Sequence, residues 1–175
     1  KASNSEVNLE ELADRVIAAK SDLAGKKEVT LVKQAAADTP MVMGDAIRLE
    51  RILLNLVNNA IDAMDKPGRI LIKTERLEND LGPRASIMVQ DQGCGIPPEN
   101  LEEVFKPFFT TKSSGTGLGL AIIQKIIEEH NGRMEVKSEI GQGTTFSIDL
   151  PAVEKTGAQP PEQTGAPPLK LAPPL

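Results

Sequence analysis

The sequence has no tryptophan, no tyrosine, a single cysteine and a single histidine, and only four phenylalanines among its 175 residues. The lone cysteine, Cys94, rules out an intrachain disulfide framework and fits a reducing, cytoplasmic setting. No apolar run approaches the ~18 residues of a membrane span, and the first residues, KASNSEVN, lack a signal-peptide core. Direct membrane contact is therefore not expected, and any anchor would have to lie outside this chain. Positive charge is also in short supply. A formal net charge of -5 and a pI near 5.0 give no general attraction for nucleic acid or anionic lipid, so a polyanion would have to be held by a local arrangement of donors. No repeat with a period of 20 to 50 residues is present.

What remains is 39% hydrophobic and 26% charged, the balance of one soluble domain that buries about two-thirds of its unfolded surface. In isolation it is expected to be a monomer. Its pattern changes at Pro151, where the last 25 residues take seven of the 13 prolines and show no helical or strand period. Such a stretch cannot bury enough apolar surface to offset the entropy of ordering, so 151–175 reads as a disordered tail. Residues 7–150 read as the domain and 1–6 as a linker remnant.

Within the domain, Leu9, Leu12, Val16, Ile17 and Leu23 predict a first helix stopped by Gly25, followed by a strand over residues 28–33. Asp45 is a good N-cap for a long helix reaching Met64, with Ile47, Leu53, Leu54, Val57, Ile61 and Met64 spaced to face a core. Strands are expected over 69–75 and 85–90, a short helix in PPENLEEVF, a helix from Leu118 to His130 closed by Asn131 and Gly132, and two final strands, MEVKSE and TTFSIDL, around the turn IGQG.

Three stretches carry candidate chemistry. The long helix contains NLVNN, although asparagine is a mediocre helix former whose side chain competes for backbone hydrogen bonds. Asn55 and Asn59 share a face, with Asp62 near by. The stripe is either a solvated helix face or a source of amide oxygen for a hard cation such as Mg²⁺. DQGCGIPP, at 91–98, is either an ordinary turn or a site where Gly93 and Gly95 admit a planar ligand and Asp91 accepts from an exocyclic amine. Cys94 between the glycines has no neighbouring His or Lys to activate it and reads as a small filler. In FKPFFTTKSSGTGLGLAI, Gly115, Gly117 and Gly119 precede a helix, where converging backbone amides can receive phosphate; the alternative is a flexible loop. Lys112 is either a mobile cation for that phosphate or an exposed lysine. Phe105, Phe108 and Phe109 read as hydrophobic anchors rather than a stacking platform. His130, at a helix end, reads as a cap or surface residue in a place where positive charge is favourable.

The ordered series NLVNNAIDAM, DQGCGIP, FKPFFTTK and GTGLGLAI resembles the N, G1, F and G2 boxes of the catalytic ATP-binding domain of sensor histidine kinases, most closely the nitrogen-regulation type with a short lid. The resemblance extends over residues 7–150, including GQGTTFSIDLP. It implies the Bergerat-type fold of the GHKL superfamily, a two-layer α/β sandwich with a mixed sheet and helices packed on one face. It further implies ATP and Mg²⁺ as ligands, with Asn59 on the metal, Asn55 facing the nucleotide, and Asp91 accepting from the adenine amino group. Gly93, Gly95 and Ile96 would line the base; Thr110, Thr111 and Lys112 would belong to the lid. Gly115, Thr116, Gly117, Leu118 and Gly119 would cradle phosphate. Two positions depart from the pattern: Asp62 and Ala63 stand where many relatives carry a basic and an aromatic residue, so phosphate contact and adenine stacking must come from other groups.

The same resemblance leaves competing activities. ATP-hydrolysing relatives and anti-sigma serine kinases use a glutamate where this chain has Asn55, and a neutral amide cannot take a proton. Histidine phosphorylation is thus expected over ATP hydrolysis, because the acceptor nitrogen already carries its lone pair. A nucleotide-responsive interaction module is the other reading. The implied partners are a dimerisation and phosphoacceptor domain, absent from this chain, and a response regulator; nucleic acid is not among them.

Overall fold

The computed structural model describes residues 3–107, 109 and 119–153. In chain order these form β1 (Ser5–Val7), α1 (Leu9–Gly25), β2 (Val29–Ala35), β3 (Val42–Gly44), α2 (Ala46–Ala63), β4 (Gly68–Asn79), β5 (Gly82–Gln90), α3 (Pro98–Leu101), α4 (Gly119–Glu129), β6 (Arg133–Glu139) and β7 (Gly143–Pro151). Five strands make one mixed sheet in the order β2-β4-β5-β7-β6, with β2 parallel to β4 and the other pairs antiparallel. β1 and β3 form a separate antiparallel pair.

Alternation along the strands decides which face the helices cover. Ile70 and Ile72 of β4, Ala85, Ile87 and Val89 of β5, and Phe146, Ile148 and Leu150 of β7 are all buried, one residue in two, as a half-covered sheet requires. They meet Leu12 and Val16 of α1, Ile52, Leu53, Leu56 and Val57 of α2, and Ile123 and Ile127 of α4 in one apolar cluster. Intervening positions on β4 and β6 hold ion pairs such as Lys73–Glu75 at 2.7 Å and Lys137–Glu135 at 3.4 Å, suited to a wet face, while Arg84 and Ser86 of central β5 are buried there. The result is the expected two-layer sandwich with its helices on one side.

α2 is held at both ends. The Asp45 carboxylate accepts from the backbone N–H of Ile47 (3.0 Å) and Arg48 (3.1 Å), satisfying two orphan donors and drawing its own pKa below the ordinary 3.8. The last turn contains no basic residue of its own, but Lys27 donates from outside to the carbonyl oxygens of Ile61 (2.8 Å) and Asp62 (3.4 Å).

Several expectations need correction. Ile47 is 82% exposed and so is not core, whereas the first helix forms as expected, with Leu23 43% exposed on it. Ile47 lies about 120° round the helix from buried Leu53, and Leu49, Ile52, Leu56 and Ala60 fill the inward stripe instead. The short β1 and β3 carry too few residues to show a period. Ser5 and Glu6, read as linker, pair with Gly44 and Met43. At the other end Pro151 closes β7, Ala152 bridges Val42, and Val153 N–H donates to the Met41 carbonyl at 2.8 Å. The paired structure thus runs two residues beyond Pro151; residues 154–175 lie outside the described residues.

Candidate functional site

Asp91 follows the last residue of β5 and is only 5% exposed. Its backbone N–H continues the ladder to the Thr144 carbonyl (2.9 Å), and its Oδ1 accepts from the backbone N–H of Gly93 (2.8 Å) and of Thr144 (3.1 Å). Burial pushes this carboxyl above its ordinary value, against the pull of those two hydrogen bonds. With Oδ1 occupied by two donors, Oδ2 is the acceptor left to meet an incoming N–H.

The loop after Asp91 is fitted to its neighbours without side-chain clearance. A Cβ at Gly93 would lie 2.4 Å from the carbonyl oxygen of Ala63, at the end of α2. Gly95 has φ +76, and a Cβ there would lie 2.2 Å from the Glu139 carbonyl oxygen. Bare backbone at both positions is thus required by the chain's own packing, a reason the sequence reading did not supply. Cys94 is exposed; its N–H donates to Ala63 O (3.1 Å) and its carbonyl accepts from Gly141 N–H (2.9 Å). Ile96 is half-buried against the core, and its N–H donates to Ser138 Oγ at 2.7 Å. The loop is therefore tied to α2 on one side and to the β6–β7 turn on the other.

Asn55 and Asn59 stand half-buried on α2, Asn59 about 6 Å along the axis before Ala63. The structure thus brings the asparagine helix and the Asp91 loop together through Ala63. Asn58, the third amide of the run, has its Oδ1 buried without a hydrogen-bond partner among the described residues. Gly119 opens α4, and among the described residues nothing lies within 4 Å of where its Cβ would sit. Thr110, Thr111, Lys112, Gly115, Thr116, Gly117 and Leu118, together with Phe108, lie outside the described residues. Phe105 packs on the core, as an anchor should.

His130 caps the end of α4, as expected, and in addition makes a contact that the sequence did not show. Its Nε2 accepts from the Asp45 backbone N–H at 3.1 Å, which leaves Nδ1 to donate to the Ile126 carbonyl at 2.7 Å. It joins the end of α4 to the start of α2, beside the Arg48–Glu129 ion pair. Sequence reasoning also missed Ser138, Gly143 and Thr144 as parts of the Asp91 environment. For Gly143 and Thr144 the signal was GQGTTF, which continues directly from a turn, but contact across strands is not visible in spacing.

Among solved structures, the catalytic domain of histidine kinase ThkA matches with a TM-score of 0.76 and 34% identity, over 86% of this chain and 96% of that one. Full-length ShkA in complex with AMPPNP matches with a TM-score of 0.78 and 29% identity, over 89% of this chain and 32% of that one. The sensor histidine kinase ZraS of Salmonella typhi is 40% identical over 149 residues, 85% of this chain and 31% of that protein. Sporulation kinase C of Bacillus subtilis strain 168 is 40% identical over 114 residues, 65% of this chain and 26% of that protein. The chain spans under a third of the length of these curated relatives. Residues 44–154 match the model of the histidine kinase-, DNA gyrase B- and HSP90-like ATPase family. The chain belongs to that family, as a catalytic domain of the sensor histidine kinase type. None of its described helices is long and apolar enough to cross a membrane.

Proposed function

We propose that residues 7–150 bind ATP with Mg²⁺ and transfer its γ-phosphoryl group to a histidine on a separate dimerisation and phosphoacceptor domain, on the cytoplasmic side of the cell. The observation that carries this reading is Asp91: a buried carboxylate with one oxygen saturated by backbone donors, in a fold of this family, has the form of an acceptor for the adenine amino group. Ile96 and the glycine loop would meet the base.

Asn59 would turn a neutral amide oxygen to the ion. That donor set fits Mg²⁺, which binds few protein ligands and takes the rest from phosphate and water. When bound, the ion neutralises phosphate charge. Asn55 would face the nucleotide one turn earlier, and being unable to accept a proton, it favours a histidine acceptor over water or a serine hydroxyl. In the transfer, the histidine nitrogen lone pair forms the N–P bond while the bond to the leaving ADP oxygen breaks. Lys112 and the amides of Thr110, Thr111, Gly115, Thr116, Gly117, Leu118 and Gly119 would hold the phosphates in line. A response regulator would take the phosphoryl group onward.

The test supplies the cognate histidine-bearing helical hairpin in trans, with radiolabelled ATP, and locates the label by mass spectrometry. Acid-labile phosphate on the hairpin, rising with its concentration and lost in Asn59→Ala, is the expected result. ATP binding with no transfer to any cognate hairpin would favour the interaction module, and labelling of His130 would contradict the proposed acceptor.

A further inference from the structure

Ser138 stands in β6 directly opposite Thr144 of β7. Along β6 the residues alternate between exposed and half-buried, so Ser138 shares the inward face with Met134 and Val136, both packed on the core. A hydroxyl at the end of an apolar row needs a reason, and its partners give one. Ser138 Oγ accepts from Ile96 N–H at 2.7 Å, donates to the Gly143 carbonyl at 3.0 Å, and lies 2.8 Å from Thr144 Oγ1. A hydroxyl has one proton and two lone pairs. With the proton on Gly143 O and one lone pair on Ile96 N–H, the third contact is satisfied only if the Thr144 hydroxyl donates. One small side chain thus fastens the loop after Asp91 to the turn before Thr144.

Both fastened segments bear on Asp91. Thr144 N–H donates to Asp91 Oδ1 at 3.1 Å, and Gly143 has φ +118 with room for no Cβ, which would lie 2.2 Å from Asp91 O. Ile96 belongs to the same loop as Gly93, the other donor to Oδ1. Loss of the Ser138 hydroxyl would leave Ile96 N–H without its acceptor and the Thr144 hydroxyl without its partner, inside a site where Thr144 is 5% exposed. Relief comes by letting the turn and the loop separate, which moves the donors that aim Asp91.

Resting on the nucleotide reading above, we infer that Ser138 is a positioning residue for base recognition: it fixes the Asp91 carboxylate so that Oδ2 meets the exocyclic amine of the base, and thereby sets the preference for an amino purine. A serine that only stabilised the β6–β7 turn would weaken binding of every nucleotide alike. The two roles separate when ATP is compared with purine riboside triphosphate, which lacks the amine and keeps the ring, sugar and phosphates.

The experiment measures affinities of the full 175-residue chain for both nucleotides with Mg²⁺, in the unmodified protein and in Ser138→Ala and Ser138→Thr. Ser138→Ala should weaken ATP about tenfold, the equivalent of one well-made hydrogen bond, while the deamino analogue changes less than about twofold. Ser138→Thr, which keeps the hydroxyl, should keep the preference. If Ser138→Ala does not fold, Ser138→Cys replaces it: a thiol is a weak donor and acceptor, so loss of preference in Cys but not in Thr supports the inference. Equal weakening of both nucleotides, or an unchanged preference in Ala or Cys, overturns it while the nucleotide reading stands. An unmodified chain that binds neither nucleotide overturns both.

Discussion

The carbonyl oxygen of Ala63 lies 2.4 Å from where a Cβ at Gly93 would stand, closer than any real side chain tolerates. This contact seats the Asp91 loop on the end of α2, and the adjacent Cys94 N–H closes it by donating to the same oxygen at 3.1 Å. Gly93→Ala must push the loop off the helix. The expected cost is about 1–3 kcal/mol of stability from overpacking, with nucleotide affinity falling by more than about tenfold because the Asp91 and α2 contributions no longer converge. Gly25→Ala is the control: nothing lies within 4 Å of its Cβ position, so stability should hold or rise by about 0.5 kcal/mol. Thermal melts and a fluorescent ATP analogue check both, since the chain has no tryptophan to report binding.

A second clamp lies away from the candidate site. Arg84, 4% exposed, donates from Nε to Asp149 Oδ2 at 2.5 Å and from Nη2 to the carbonyls of Asn131 (2.9 Å) and Asp149 (3.1 Å). It ties β5 to β7 and to the turn that ends α4. Arg84→Met leaves the Asp149 carboxylate and the Asn131 carbonyl without their donor, and should cost about 3 kcal/mol, seen as a fall in Tm of roughly 10 °C. Arg84→Lys should recover only part of this, because an ammonium cannot reproduce the planar fork. Full stability in either variant would remove the clamp's importance.

The Asp91 carboxyl gives a pH prediction with opposite signs for stability and binding. Its pKa in the fold is raised above 3.8 by burial, so the folded chain holds this proton more tightly than the unfolded one. Its contribution to stability is therefore full below 3.8 and is lost as pH rises through the raised value. Nucleotide binding runs the other way: the amine needs an ionised Oδ2, so affinity should fall as pH drops through that same raised value. Asp91→Asn keeps an oxygen for Gly93 and Thr144 and removes the buried charge. It should melt no lower than the unmodified chain near neutral pH, bind ATP more weakly, and lose this pH dependence. Parallel affinity titrations of the two proteins cancel the ligand's own ionisation; identical pH profiles would detach Asp91 from the amine.

The periodic parts of this architecture were readable because each long element repeats its pattern several times. α2 is an example, with Asp45 marking its start and a row of buried aliphatic residues following. The hairpin of β4 and β5 showed itself by two apolar runs around a turn. What stayed hidden depends on contacts between residues distant in sequence. β1 and β3 have three residues each and exist through mutual pairing. Lys27 caps a helix more than 30 positions later, and His130 accepts from Asp45 across 85. At the site, DQGCGIPP read equally well as an ordinary turn, and only the resemblance gave Asp91 and Gly93 their expected roles. Ser138 looked like an ordinary strand serine, because only the fold puts Ile96 against it.

The C-terminal boundary offers the sharpest test of how far the domain extends. Pro151 marks the change in composition, yet the two residues after it are bonded into the fold: Ala152 N–H donates to the Pro83 carbonyl at 3.1 Å, and Val153 N–H donates to Met41 O at 2.8 Å. Their partners matter, because Ala152 also bridges Val42, which is fully buried where β3 meets the main sheet. A chain ending after Pro151 would lose both hydrogen bonds and uncover that edge. At about 1 kcal/mol net for each bond, the loss should be near 2 kcal/mol, or roughly 5 °C in Tm. A chain ending after Val153 keeps every one of these contacts and should melt with the 175-residue chain. Measured side by side, the two truncations separate composition from structure. Equal melting temperatures would mean that the Val42 and Met41 contacts contribute nothing, whereas a large fall already present after Val153 would assign stability to residues 154–175.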